Sequence, residues 1–112
     1  MSTVGRLFAL EHGFDEKKAG KYRLVIEELS TMLREHGFND GKTHNINLRL
    51  VAKNEELIIR LRDDCTPFNL TEYYEMQEKV RKEDLGLHLI FGKAGRVQYT
   101  NTFGANNLIV RF

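Results

Sequence analysis

Two adjacent carboxylates and a cysteine, placed directly after a strand-like run, are the first candidates for chemistry in this sequence. Residues 56–62 alternate between apolar and polar types with a period of two, as in a strand with one buried face. The strand leads into Asp63, Asp64, Cys65, Pro67 and Phe68. Carboxylates at a strand end, followed by a rigid turn and an aromatic ring, predict a ligand cleft held by a sheet. A solvated turn is the alternative interpretation, because Asp and Pro favour turns for local reasons.

A further carboxylate, Glu28, is predicted on the edge of the buried stripe of a long helix. With about 100° per residue and Leu29 at the centre of the stripe, Glu28 falls on its flank, and Met32 lies beside it one turn later. That position faces a cleft between helix and sheet, where a carboxylate can act as a general base on a nucleophile within hydrogen-bond reach. An ordinary boundary glutamate is the alternative.

The helices that position these groups are predicted from apolar periodicity and end signals. A short helix spans about residues 4–12 and is ended by Gly13. A longer helix follows the candidate N-cap Asp15 and extends to about residue 36, with apolar residues at the spacing of one helical face. Residues 69–82 indicate a short helix with a mobile connection, and residues 85–91 indicate an apolar helix interrupted by Gly86.

Two antiparallel hairpins are predicted in addition. Residues 46–50 alternate, and a polar turn at 53–55 leads back into the strand that carries Asp63. Residues 97–100 and 108–112 form the second hairpin around Gly104. This order of elements predicts an α+β fold, a two-layer sandwich with helices on one face of a mostly antiparallel sheet. The 112 residues fit a single domain, 1–112.

Composition narrows the class of protein. Lys and Arg number 17 against 16 Asp and Glu, so the balance of charge argues against a dedicated nucleic-acid binder. The single cysteine, Cys65, excludes an internal disulfide and does not indicate a zinc site. Since there is also no bilayer-spanning run and no leader pattern, we expect a soluble protein of the reducing cytoplasm. The chain fits equally a small whole protein and a domain of a longer one.

Three sequence boxes, in order, resemble the GHKL or Bergerat-fold ATP-binding domain. Glu27 and Glu28 lie in the long helix, residues 62–68 follow a strand, and the box from Asp84 to Ile90 opens a later helix before a closing hairpin. Within this family, the chain is similar to the small anti-sigma factor and serine-kinase branch, whose members regulate bacterial transcription factors by partner switching. Similar domains occur in sensor histidine kinases.

The resemblance covers nearly the whole chain and implies a histidine-kinase-like ATPase fold. It also implies ATP or ADP as the ligand, with Mg²⁺ as the accompanying metal. The partner it implies is a protein, such as a sigma factor or an anti-anti-sigma protein, and homodimers occur in the family. No nucleic-acid partner is expected, because the tyrosines show no stacking spacing with basic residues.

Carried over position by position, the resemblance assigns roles to seven residues. Glu28 would be the base that activates the attacking group in phosphoryl transfer. Asp63 would accept a hydrogen bond from the adenine amino group, with Phe68 at the edge of the base pocket. The remaining nucleotide-binding positions are Cys65 in the first glycine box and Leu85, Gly86 and Leu87 in the second. The last three would present backbone N–H groups to phosphates at a helix N-terminus.

Departures from the family pattern weaken the expected metal and nucleotide binding. Met32 stands where the family has the asparagine that holds Mg²⁺, and a thioether is a poor ligand for a hard cation. Cys65 replaces a glycine that lets the backbone approach the base. Glu83 and Asp84 replace the usual glycine pair, so carboxylates stand where a triphosphate would rest. The lid between Phe68 and Asp84 is short and has no glycine.

These departures predict a regulatory, protein-binding module in which ATP binding is weak or lost. One alternative is an active protein serine kinase or histidine-kinase-type ATPase, in which Thr31, Ser30 or a water replaces the missing asparagine oxygen. Another is a purely structural dimerisation module. The alternatives differ in whether nucleotide raises the melting temperature and whether any rise needs Mg²⁺.

Overall fold

The computed structural model describes residues 2–37, 41–77 and 82–112, and these form two layers. The helical layer contains α1 (Ser2–Glu11), α2 (Glu16–Met32), α3 (Leu70–Glu75) and α4 (Leu85–Lys93). Asp15 caps α2 as predicted, since its carboxylate accepts a hydrogen bond from the backbone N–H of Lys18 at 2.8 Å. The regular part of α2 ends earlier than expected, because the chain widens into a π-helical turn at Leu33–Gly37.

The second layer is a four-stranded sheet built from the two predicted hairpins. Its strands are β1 (Ile46–Lys53), β2 (Glu56–Asp63), β3 (Arg96–Thr102) and β4 (Ala105–Arg111). Each hairpin turns on two residues with positive φ, Asn54 (51°) with Glu55 (63°) and Phe103 (52°) with Gly104 (77°), which is typical of type I′ turns. The order is β1-β2-β4-β3 with all neighbours antiparallel, so the pairing of β2 with β4 joins the hairpins.

The core lies between α2 and one face of the sheet. Val25, Ile26 and Leu29 of α2 are buried in the same cluster as Leu57 and Ile59 of β2. The apolar residues that recur every two positions in β2 and along one face of α2 both lie in this interface. The predicted α+β sandwich is confirmed. The other face of the sheet has no helix among the described residues.

Tyr22 is a buried polar link between α2 and the sheet. Its hydroxyl donates a 2.7 Å hydrogen bond to the carbonyl oxygen of Ile58. Burial also raises the pKa of this hydroxyl above its ordinary value of 10.0. The group therefore stays a neutral donor wherever the sheet is intact.

The Tyr22→Phe variant is expected to lose about 1 to 2 kcal/mol of unfolding free energy at neutral pH, because a buried carbonyl loses its donor. Since the folded pKa is raised, the unfolded chain ionises first as pH climbs past 10.0, and the stability that Tyr22 contributes is progressively lost. Urea unfolding of both proteins from about pH 7 to about pH 11 measures this. A stability gap that stays constant over that range would contradict the assignment.

Two sequence predictions fall on residues that the structure does not describe. The loop expected at Asn39 and Asp40 lies outside the described residues. So do residues 78–81 of the predicted lid, although its short helix is present as α3. Within the described part of the chain, none of the helices combines the length and apolar character needed to cross a bilayer.

Candidate functional site

Asp63 ends β2 on the core side of the sheet, where its carboxylate is almost fully buried. Its Oδ1 accepts hydrogen bonds from the backbone N–H of Cys65 at 3.0 Å and from the side-chain amide of Asn106 at 2.8 Å. No donor among the described residues reaches Oδ2, although Asp63 lines a cavity. The free oxygen is therefore available to a donor that enters this cavity.

Asn106 is the site residue that the sequence interpretation missed. Its amide also donates to the carbonyl of Cys65 at 3.0 Å, while its own carbonyl accepts from the Tyr99 hydroxyl and from the amide of Asn101. Burial raises the pKa of Tyr99, which keeps that hydroxyl a donor. The alternation of β4 could have indicated Asn106, because this residue lies two positions before the buried Leu108 and therefore on the same face. A buried amide requires hydrogen-bond partners.

The cavity beside Asp63 is small. It holds about 30 Å³, with Met32, Leu33, Phe68 and Tyr99 among the side chains that line it. That volume accommodates about two waters. Pockets that hold drug-sized ligands are about ten times larger. A base can approach Asp63 only if side chains in this wall move.

Glu28 faces a different and larger cavity of about 260 Å³. This cavity lies between α2, α3 and the start of α4, so the expectation that Glu28 faces a cleft between helix and sheet was wrong. The shift follows from packing, because α4 lies alongside α2 and covers that flank. The lining includes three carboxylates, from Glu28, Glu35 and Asp84, and one lysine, Lys82.

Met32 and Phe68 line both cavities and form the wall between them. Met32 is thus placed at the boundary between the Asp63 side and the Glu28 side, and it offers sulfur there rather than oxygen. Thr31 lines the Glu28 cavity beside it. Ser30, the other oxygen considered as a substitute, lies on the opposite flank of α2, where its hydroxyl donates to Ile26 at 3.0 Å.

The start of α4 brings together the residues expected at the phosphates. Gly86 lies so close to Glu28 that a methyl group added to it would collide with the Glu28 carboxylate. The carboxylate therefore rests against the first turn of α4, where the helix dipole favours an anion. Leu87 is buried in the core and Leu85 is exposed, so both could act on a ligand only through their backbone.

Asp84 connects the lid to α4. Its carboxylate accepts hydrogen bonds from the Tyr73 hydroxyl at 3.1 Å and from the Gln77 amide at 2.7 Å. The Gln77 carbonyl shares a 2.8 Å hydrogen bond with His88 Nε2, and Tyr74 stacks on Phe91 at 4.0 Å. These contacts hold α3 closed over α4.

Cys65 is not among the residues that line either cavity, and its thiol lies beside His44 and Asp64. The three ligand atoms lie within 4.8 Å of one another. The carboxylate of Asp64 also accepts the backbone N–H of Asn45 at 2.8 Å, and this bond, with His44 as a smaller contribution, holds the pKa of Asp64 below its usual range. These bonds fix the segment before β1 to the end of β2.

The fold that carries Asp63 and its cavity is an α+β sandwich with the sheet order β1-β2-β4-β3. The chain belongs to the histidine kinase-like ATPase domain family, whose sequence profile matches residues 2–112. The resemblance to the GHKL fold is thereby confirmed for the domain as a whole.

A solved structure shares the fold. The histidine kinase domain of the blue-light activated histidine kinase from Erythrobacter litoralis EL346 matches with a TM-score of 0.65 and 19% sequence identity. The match covers 88% of this chain and 48% of that chain, so this chain spans about half the length of the protein it resembles. No curated protein matches the sequence.

Proposed function

We propose that this domain is a regulatory, protein-binding module of the anti-sigma type, acting in the cytoplasm, in which ATP binding is weak or lost. The observation that carries the proposal is the small, divided site. The cavity at Asp63 holds about 30 Å³, and it is separated from the Glu28 cavity by Met32 and Phe68. A nucleotide would have to span both cavities.

The charges of the larger cavity support the same proposal. A triphosphate there would meet the carboxylates of Glu28, Glu35 and Asp84 with only Lys82 to offset them. Mg²⁺ would normally reduce this repulsion, but Met32 provides no oxygen to hold it. Residual adenine recognition is supported only by the free Oδ2 of Asp63.

The test is a calorimetric titration of the purified chain with ADP and ATP, each with and without Mg²⁺. We expect dissociation constants on the order of a millimolar or weaker, with no dependence on Mg²⁺. A thermal shift with nucleotide should be correspondingly small. Micromolar, Mg²⁺-dependent binding, or robust phosphorylation of any partner protein, would overturn the proposal.

An active protein serine kinase is the second candidate, and one observation favours it. Glu28 and the hydroxyl of Thr31 line the same cavity, so a base and a substitute oxygen ligand lie together there. Thr31 already donates to the Glu27 carbonyl at 3.1 Å and accepts from the Arg34 guanidinium at 3.2 Å, so a metal would have to displace Arg34 from this oxygen or share it. The titration above separates the candidates, because the kinase requires the metal-dependent outcome.

A homodimer is the remaining part of the proposal, and α1 is the element that supports it. Val4 and Leu7 expose 58% and 48% of their surface on this helix. Apolar residues that lie exposed together often mark protein contacts. Sedimentation of the chain over a range of concentrations would show a monomer throughout if this part were wrong.

A further inference from the structure

The face of the sheet that is turned away from the helices carries charge of almost one sign. Its basic residues are Lys53, which lies opposite Glu56, and five arginines, which we name the arginine face: Arg49, Arg60, Arg62, Arg96 and Arg111. The one acid at the outward positions of the four strands is Glu56, paired with Arg111 at 2.8 Å. The other four arginines have no ion pair with any described residue. The face is strongly positive although the whole chain has a formal net charge of +1.

The register places these charges against one another. Arg49 lies directly opposite Arg60, and Arg96 lies directly opposite Arg111. Like charges in directly opposed positions of an antiparallel pair destabilise the sheet. The isolated domain therefore carries a repulsion that an anionic partner on this face would remove.

The side chains define the chemistry of that partner. Arg49, Arg60 and Arg62 surround a groove of about 350 Å³ that also contains Ile109. Guanidinium groups match carboxylates in a two-bonded geometry, and arginine interspersed with apolar residues is typical of protein interfaces. Arg60 and Arg62 project on the same side with the repeat of an extended strand, which is also the repeat of alternate side chains in an extended peptide.

Nucleic acid is the less suitable polyanion. The outward positions of the four strands carry no aromatic ring, whereas sheets that bind single strands stack bases on aromatic side chains. An open sheet face also presents no helix to a major groove.

We propose that the arginine face is the docking surface for an extended acidic segment of a partner protein, with glutamate or aspartate at alternate positions. This deepens the regulatory role proposed above, and it rests on that role only for the existence of a protein partner. The face lies on the opposite side of the sheet from Asp63 and Glu28, so docking does not require nucleotide.

The test uses a labelled peptide of the length of β2, 8 residues, alternating Glu and Ser. Binding is measured by fluorescence anisotropy at about 150 mM salt and again at lower salt. The double variant Arg60→Gln/Arg62→Gln should weaken binding about tenfold or more, since two charged hydrogen-bond donors are lost. The matched control, Lys17→Gln/Lys93→Gln, removes two exposed positive charges from α2 and α4 and should change affinity less than about twofold.

Each other outcome overturns the proposal. Undetectable peptide binding, or equal losses in both double variants, would mean that the face does not recognise acidic segments. Tighter binding of a single-stranded DNA of equal charge, lost with Arg60 and Arg62, would assign the face to nucleic acid. Loss of folding is not expected to explain the result. Arg60→Gln removes a charge that opposes Arg49, and Arg62 faces only Asn47 and Asn107, so the melting temperature should stay unchanged or rise. The nucleotide titration is unaffected by any of these outcomes, so the two proposals fail separately.

Discussion

Replacing Met32 by asparagine is expected to raise the affinity for ATP about ten- to a hundredfold when Mg²⁺ is present and to leave it unchanged without Mg²⁺. Met32 lies in the wall between the Asp63 cavity and the Glu28 cavity, so an amide oxygen there would face the Glu28 cavity. The shorter side chain also thins that wall. Calorimetric titration of ATP with and without Mg²⁺ measures both effects.

Met32→Leu is the matched control, because leucine has the shape of asparagine without its oxygen. We expect it to bind nucleotide no better than the unmodified chain. Similar gains in both variants would show that the wall, rather than the missing ligand atom, limits binding. No gain in either would place the limit at the carboxylates of Glu28, Glu35 and Asp84.

The second large effect is expected at Asp63. Asp63→Ala should reduce the unfolding free energy by about 2 to 4 kcal/mol, because the backbone N–H of Cys65 and the buried amide of Asn106 both lose their acceptor. Asp63→Asn keeps an acceptor oxygen and should cost less than half as much. Urea denaturation with a common baseline gives the differences.

The neighbouring acid Asp64 provides the control for Asp63. Its side chain is 47% exposed, so Asp64→Asn should affect stability far less than Asp63→Ala. If the two variants were equally mild, the network around Asn106 would not hold the end of β2. In the Met32→Asn background, Asp63→Asn should abolish any preference for ATP over GTP, because an amide N–H₂ would then oppose the adenine amino group.

The helices and hairpins could be predicted because their signals are local. Alternating residues on either side of Asn54 and Glu55 determine one hairpin, and the stripe from Tyr22 to Leu29 determines the face of α2. The sheet order could not be predicted in the same way. It depends on the pairing of β2 with β4, which brings together segments far apart in the chain.

The site residues also divide into those recognisable from local sequence and those that depend on strand pairing. Asp63 was found from its place at a strand end, whereas its partner Asn106 is 43 residues away and is recognisable only once the strands are paired. Asp84 was interpreted as a repulsive replacement for glycine. It also has a structural role, since its carboxylate accepts hydrogen bonds from Tyr73 and Gln77. The roles in binding or catalysis stay predictions for all seven residues: Glu28, Asp63, Cys65, Phe68, Leu85, Gly86 and Leu87.

Three hydrogen bonds hold α3 against α4, from Tyr73 and Gln77 to Asp84 and between Gln77 and His88. A ligand that requires α3 to move can bind only when these bonds are broken. If each contributes about 1 kcal/mol, a conformer with α3 lifted from α4 is populated to about 1% or less. A ligand that needs this conformer binds about a hundredfold more weakly than the conformer itself would allow. A protein that held α3 open would restore the hundredfold loss of ligand affinity. Because such coupling is reciprocal, bound nucleotide would raise the affinity for that protein by the same factor.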